Sequence, residues 1–368
     1  MDSFRRIAAG LWTRRADANL DRKVRRRVRA MSEIDGRQRL MQLTAGFAPT
    51  MAVFAAAELG IPDLIAAGTR SLDGLARATG ADPAALSRTL RYLVSLEILA
   101  RADGAYRLAP MGEFLRSDVD GSRRANVRMM GRFAPAWSQI LHSLRTGETA
   151  FSKVYGMELF AYLSANPAES AIFDSLMEDV HGPESAAISA AYDFAAFACL
   201  ADIGGGNGSL LIELLRSRPT LQGILFDRPD VAERAGRRIA AAGLAGRCRA
   251  VGGSFFESVP PGADGMLLRH VLHDWGDADA LAILANCRRA LPAGGRLLVA
   301  EAILPEDDAP SAARHMDLSM LVLAGGQERT EGEYRALCDR AGLSVTRVIA
   351  TETATSLIEA RLSGKVAP

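Results

Sequence analysis

Ala201-Asp202-Ile203-Gly204-Gly205-Gly206-Asn207-Gly208-Ser209-Leu210 is the stretch on which the fold turns. An apolar strand, residues 200–203, runs into glycines and then into a helix over 210–216. Glycines let the backbone pass close to a ligand, and the helix N-terminus offers free N–H donors. Gly204, Gly206 and Gly208 spell GxGxG, with serine at 209. A dinucleotide fingerprint needs a third close-packing glycine there, so a small cation-bearing nucleoside suits this turn better than a pyrophosphate. Alone, the stretch is equally a tight strand-to-helix turn.

The next strand changes the balance. Gly223-Ile224-Leu225-Phe226-Asp227 ends on a carboxylate about 20 residues beyond the glycines, the spacing at which an acid accepts ribose hydroxyls. A helix-capping role before Arg228-Pro229 is the other reading. Further apolar strands follow at 249–251, 265–270, 296–301, 344–350 and 356–360, with helical patterns between the first five. Repeated strand-then-helix units predict a mostly parallel sheet covered on both faces.

At the carboxyl end of the fourth strand stands Leu267-Leu268-Arg269-His270-Val271-Leu272-His273-Asp274-Trp275-Gly276-Asp277. Doubly wound sheets bind ligands at that edge. An imidazole titrates near neutrality, so His273 beside Asp274 and Trp275 is a candidate general base; capping of the helix over 277–291 is the alternative. His270, embedded in the strand end, reads as a packed histidine. Glu301 ends the fifth strand, and Glu328 lies in Gly325-Gly326-Gln327-Glu328-Arg329-Thr330. Either acid can orient an imidazole, and either can be a surface or capping acid.

The N-terminal part has another texture. Ser71 and Asp82 cap two short helices, Pro83 opens the second, and 98–100 with 106–108 form a hairpin around Asp103-Gly104. This is a winged helix-turn-helix pattern. The uncharged run 40–57 predicts a buried helix rather than a membrane span. Residues 1–39 hold 12 Lys/Arg against 5 Asp/Glu, a charge of +7, while the rest of the 368-residue chain carries −6. The net +1 excludes a globally basic nucleic-acid coat, and the body charge is ordinary for an enzyme. The 4 cysteines form no CxxC pair, which disfavours a zinc site or disulfide framework and points to reduced, cytoplasmic thiols. No secretory leader is legible at the N-terminus. Expected boundaries are a basic helical arm at 1–37, a helical and winged-helix domain at 38–192, and an α/β domain at 193–368.

Taken together, residues 38–362 resemble the S-adenosylmethionine-dependent O-methyltransferases of the plant caffeate/acetylserotonin type and their bacterial, natural-product-tailoring relatives. The motifs that carry the likeness are Asp202–Gly208, Phe226-Asp227-Arg228-Pro229, Gly252-Gly253-Ser254-Phe255-Phe256, His273-Asp274-Trp275, Ala300-Glu301, Met316-Asp317-Leu318-Ser319-Met320 and the segment 325–330. The resemblance implies an α/β, Rossmann-like seven-stranded sheet and an α-helical dimerisation domain containing the winged helix. It implies S-adenosylmethionine as cofactor and S-adenosylhomocysteine as product. The cofactor would be held by Asp202, Gly204, Gly206, Gly208, Asp227, Arg228, Ser254, Phe255 and Arg269. His273 would be the base, flanked by Glu301 and Glu328. The acceptor would lie among Met130, Phe133, Trp137, Phe151, Phe160, Met177, His181, Met316, Asp317 and Met320, with Met177 and Met320 as a clamp. Ser254 departs from the pattern: most members carry an acid that bonds the adenine amino group, and a serine offers only a neutral contact.

The likeness implies a homodimer that methylates a phenolic or polyketide hydroxyl, without a metal and without nucleic acid. Other readings stay open. A non-methylating homologue (decarboxylase or hydroxylase) would use the cofactor structurally. A lipophilic, carotenoid-type alcohol could replace the phenol. A winged-helix regulator would bind DNA through the helix over 83–96. The apolar stripe of the basic arm suits packing on a partner subunit, or weak attachment to an anionic membrane.

Overall fold

The computed structural model describes residues 36–364; the basic arm up to Asp35 and the last four residues lie outside the described set, as do the side chains of residues 180–183. The chain forms two compact units, one ending at Gly112 and the other beginning at Glu113.

The first unit is helical with one hairpin: α1 (Gly36–Ala45), α2 (Phe47–Glu58), α3 (Ile61–Ala66), α4 (Leu72–Thr79), α5 (Pro83–Ser95), β1 (Leu99–Ala102) and β2 (Ala105–Leu108). Ser71 and Asp82 act as the predicted N-caps, accepting from the backbone N–H of Gly74 and Ala85. Asp103 and Gly104 both have positive φ, as a two-residue turn between twisted antiparallel strands requires. Leu75, Leu86, Leu90, Leu93, Leu99 and Tyr106 close the core, so the winged helix-turn-helix stands as read. The uncharged run does not. It was expected to be a buried helix, but it forms α1 and α2, and Leu40, Met41, Leu43 and Phe47 are each more than 60% exposed. Gly36–Glu58 is long and apolar enough to cross a membrane, and little of it is buried. Among the described residues of the two helices, Ala56 and Ala57 are buried and Ala52 and Val53 pack against the core.

The second unit opens with α6 (Pro110–Glu113) at its boundary, then α7 (Arg124–Trp137), α8 (Ile140–Thr146), α9 (Ala150–Tyr155), α10 (Leu159–Ala165) and the long α11 (Pro167–Ala191). There follow β3 (Cys199–Ile203), α12 (Ser209–Ser217), β4 (Gln222–Asp227), α13 (Pro229–Ala241), β5 (Cys248–Gly252), β6 (Gly265–Arg269), α14 (Asp277–Ala290) and β7 (Arg296–Leu304). The chain ends in α15 (Ala312–Leu323), β8 (Arg329–Thr330), α16 (Glu331–Arg340), β9 (Leu343–Ala350) and β10 (Thr355–Leu362).

The sheet runs β5-β4-β3-β6-β7-β10-β9, with the two-residue β8 pairing off β7. The first five strands are parallel, and β10 is antiparallel to both its neighbours, so the sheet is mixed. Seven predicted strands are present; β8 was too short to leave a pattern. Alternation along each strand sorts the core in two. Ala201, Ile203, Ile224, Phe226, Met266, Leu268, Leu297 and Val299 face one side with α14 and α16. Leu200, Leu225, Leu267, Leu298 and Ala300 face the other with α12, α13 and the end of α11. A one-residue slip would exchange the two faces, so this alternation fixes register. All five parallel strands therefore end on one edge, where Gly204, Asp227, Gly252, His270 and Glu301 emerge.

Candidate active site

On that edge the glycine loop is built as a cradle. Gly204, Gly206 and Gly208 have φ of 73°, 56° and 77°, a conformation most side chains avoid. A Cβ on Gly208 would meet Leu225 at 2.8 Å, whereas above Gly206 there is open space. Asp227 stands beside it: one carboxylate oxygen accepts from Gly206 N at 2.8 Å, the other from Arg228 N at 2.7 Å. Each oxygen keeps a lone pair, which is what a vicinal diol needs. Burial pushes Asp227 up, against these N–H bonds. Asp202 lies beneath Gly205, and burial raises it to about 6 despite the nearby Arg269. The donor set and the open cradle fit a nucleoside with a charged tail.

Other predicted cofactor residues are engaged differently. Arg269 donates to Ser185 Oγ of α11 at 3.0 Å, and burial lowers its pKa. Arg228 turns back to Phe160 O at 2.9 Å and so ties α10 to the sheet edge. Ser254 Oγ accepts from Phe256 N at 3.3 Å. Phe255 joins Phe256 and Trp275 in an edge-to-face cluster, with centroids 4.8–6.0 Å apart.

His273 sits in a short 3₁₀ turn, Leu272–Asp274, and is 7% exposed. Its Nδ1 donates to Glu328 Oε1 at 2.7 Å. That bond fixes the tautomer, so a neutral ring presents the Nε2 lone pair. Asp274 Oδ1 lies 3.6 Å from Nε2, too far for a hydrogen bond. Glu301 is fully buried. Its Oε1 accepts from the backbone N–H of Val271 and Leu272 at 3.0 and 2.9 Å. Its Oε2 has no hydrogen bond and lies 3.5 Å from His273 Nδ1. Burial opposes the imidazolium, but Glu301, Asp274 and Glu328 outweigh it and raise His273 to about 10. Burial likewise opposes the Glu301 charge, and His273 with His270 holds its pKa down. Burial pushes Asp274 up to about 6. Donor atoms of His270, His273 and Glu301 fall within 4.8 Å of one another. Glu328 already engages His273 Nδ1, and we assign no metal to the group.

Two residues that set this geometry were missed in the sequence. Arg329 is 1% exposed and grips the turn from behind. It donates to Leu272 O at 3.0 Å, Trp275 O at 2.9 Å and Asp277 Oδ1 at 2.9 Å, bracketing His273. Gly326 passes so close that a Cβ there would overlap His273 O, and Gln327 N donates to that same oxygen at 2.8 Å. Asp317, expected at the acceptor, accepts from Glu328 N at 3.0 Å and so positions the base's partner.

The predicted acceptor residues largely converge. Met130, Phe133, Trp137, Phe151, Phe160 and Met177 share one cluster with Val322 and Leu323 of α15. Met320 is 9% exposed and Met316 half-buried. Phe151, only 1% exposed, is spent on core packing with Phe133, Tyr155 and Tyr162. Phe160 lies 6.1 Å from Trp275, between this cluster and the cofactor cradle. The side chain of His181 lies outside the described set.

The chain matches known proteins along nearly its whole length. The O-methyltransferase domain family matches residues 137–344, and the O-methyltransferase dimerisation domain family matches 41–118. Phenazine O-methyltransferase PhzM of Lysobacter antibioticus is 41% identical over 88% of this chain and 95% of its own. The O-methyltransferase NcsB1 from neocarzinostatin biosynthesis was solved with S-adenosylmethionine and 2-hydroxy-5-methyl naphthoic acid. It superposes with a TM-score of 0.79 at 39% identity, covering 86% of this chain and 96% of that one. Aclacinomycin 10-hydroxylase RdmB of Streptomyces purpurascens is 38% identical over 80% of this chain and 81% of its own.

Proposed function

This chain belongs to the S-adenosylmethionine-dependent O-methyltransferases that carry an N-terminal dimerisation domain, and from that premise we propose that it methylates a hydroxyl of an aromatic small molecule, with His273 as general base. The observation that carries the reading is the buried His273–Glu328 pair at 2.7 Å beside an apolar, methionine- and aromatic-lined cluster. Such a lining suits a flat ring. The name of PhzM and the naphthoic acid bound by NcsB1 point to the same acceptor class.

Gly204, Gly206, Gly208 and Asp227 hold the cofactor in this reading, with Phe255 and Ser254 on its base. When bound, S-adenosylmethionine supplies an electrophilic methyl group and a positive charge that opposes the proton on His273. The protein's main contribution is to hold the acceptor oxygen in line, so that little entropy remains to be lost in the reaction. His273 Nε2 takes the hydroxyl proton. Glu328 holds the ring by Nδ1, and Glu301 stabilises the imidazolium that forms. The exposed apolar face of α1 and α2 meets a second subunit, and we place the enzyme in the cytoplasm as a homodimer.

The test is a panel of hydroxyarenes, carotenoid-type alcohols included, with isotopically labelled cofactor and mass detection. A phenolic product heavier by one methyl group is expected, and His273→Ala should lose it while still binding the cofactor. Product formation undiminished in His273→Ala would sink the base assignment. The RdmB likeness favours one second reading, a cofactor-dependent hydroxylase; a product gaining oxygen instead of a methyl group would establish it.

A further inference from the structure

Behind the base lies a second histidine that the mechanism above does not use. His270 directly follows β6 with a φ of 51°, a left-handed conformation in which few side chains other than Asn, Asp and His are found. Its Nε2 lies 2.8 Å from Glu184 Oε2, on α11. Glu184 is fixed in turn by Thr355 Oγ1 of β10, which donates to its Oε1 at 2.6 Å. The opposite ring nitrogen, Nδ1, faces Glu301 Oε2 at 3.6 Å. The same oxygen faces His273 Nδ1 at 3.5 Å, and the two rings are 5.3 Å apart. Glu301 Oε2 is thus a buried acceptor with no closer partner among the described residues, set between two imidazoles.

A fully buried carboxylate in that position needs compensating charge. From the geometry we propose that His270, held by Glu184, is a positioning residue: a permanent cation that neutralises Glu301 from behind and so keeps His273 able to give up its proton. The inference rests on the methyltransferase reading for its consequence, but its premise concerns ligand-free protein.

The groups that face His270 among the described residues fit this charge count. Glu184 approaches from α11 and Glu301 from β7, while His273 and Asp274 approach from the 3₁₀ turn. Glu328 lies beyond His273. Tyr334 of α16, near Glu301, is held neutral by burial, which pushes it well above its ordinary value. Two carboxylates around one imidazole overcome its burial and raise it, which favours the cation. Without that cation, His273 alone would compensate Glu301. Its imidazolium would be bound more tightly, and it would serve less well as a base.

Two variants test this. His270→Asn removes the cation with a residue that tolerates left-handed backbone. Glu184→Gln keeps the size of the partner and removes the charge that holds the cation. Imidazole ¹⁵N spectra of the full-length protein, with its 5 histidines labelled, report the charge on His270 without any substrate. The wild type is expected to show both His270 nitrogens protonated at pH 7–8, and Glu184→Gln to show a neutral ring. Methyl transfer to the best acceptor in the panel then reports the base. In both variants the acidic limb of the pH profile should move upward by roughly two units, the scale of a unit charge lost at about 5 Å in an effective dielectric of ~20. Cofactor affinity should not change. A neutral His270 in the wild type overturns the proposal. So does a limb that stays in place while kcat falls, because a purely structural role gives that result. If His270→Asn fails to fold, Glu184→Gln carries the same test. Absence of methyl transfer in the wild type would count against the function and leave the ¹⁵N result standing.

Discussion

Replacing Glu328 by Gln is the sharpest probe of the base. The side chain keeps its length and can still accept from His273 Nδ1, but its negative charge is gone. The bond that loses its charge assistance is short, at 2.7 Å, and buried. Such bonds contribute about 1.5–3 kcal/mol, and one pKa unit corresponds to about 1.4 kcal/mol. The His273 imidazolium should therefore lose about one to two units of stabilisation. The sign follows from the role: the base works when neutral, so activity rises with pH through the His273 pKa. Glu328→Gln should move that acidic limb down by about one to two units. The high-pH plateau should fall by about 10- to 100-fold, because the imidazolium formed in the transition state loses the same support. The assay is the pH dependence of kcat/KM at saturating cofactor. A limb that does not move, with the plateau alone reduced, would refute the electrostatic part of the argument. This shift is opposite in direction to that expected for His270→Asn, which makes general loosening of the site a poor explanation of both.

Three further outcomes are expected. Asp227→Asn removes the negative charge presented to a ribose diol and should weaken cofactor binding by about 10-fold in calorimetry, the cost of a lost charge-assisted bond; unchanged affinity would move the ribose elsewhere. Gly326→Ala forces a methyl group into His273 O, so thermal melts should show about 1–3 kcal/mol of destabilisation and kcat should fall more than cofactor affinity. Ser254→Asp restores the acid that the resemblance leads one to expect and should tighten cofactor binding several-fold, since a charged acceptor is about twice as strong as a neutral one; weaker binding would mean that the Ser254 turn cannot accept a carboxylate.

What the sequence disclosed and what it withheld divide along a physical line. Strands β3, β4, β6 and β7 were legible because each is a short, nearly continuous apolar run, as strands covered on both faces are. On spacing alone Glu301 and Glu328 read equally as surface or capping acids, and it was the family resemblance that set them beside His273. Arg329 was passed over because arginine is an ordinary surface residue, and only the fold reveals that its guanidinium reaches the carbonyls of Leu272 and Trp275 and the carboxylate of Asp277. The Glu184–His270 contact joins residues far apart in sequence and left no local pattern. The run 40–57 misled for a related reason: its length and lack of charge report that a face will be covered, not whether its own chain covers it.

Strand β10 stands last in sequence yet lies inside the sheet, between β7 and β9. During synthesis the strand bearing Glu301 therefore has a bare apolar edge until residues 355–362 arrive, and Glu184 waits for Thr355 over the same interval. A chain severed ahead of that strand would not persist as a slow enzyme. Its open edge would invite aggregation or proteolysis. The order of the strands thus makes activity all-or-none with respect to the C-terminal segment, a form of quality control written into the topology.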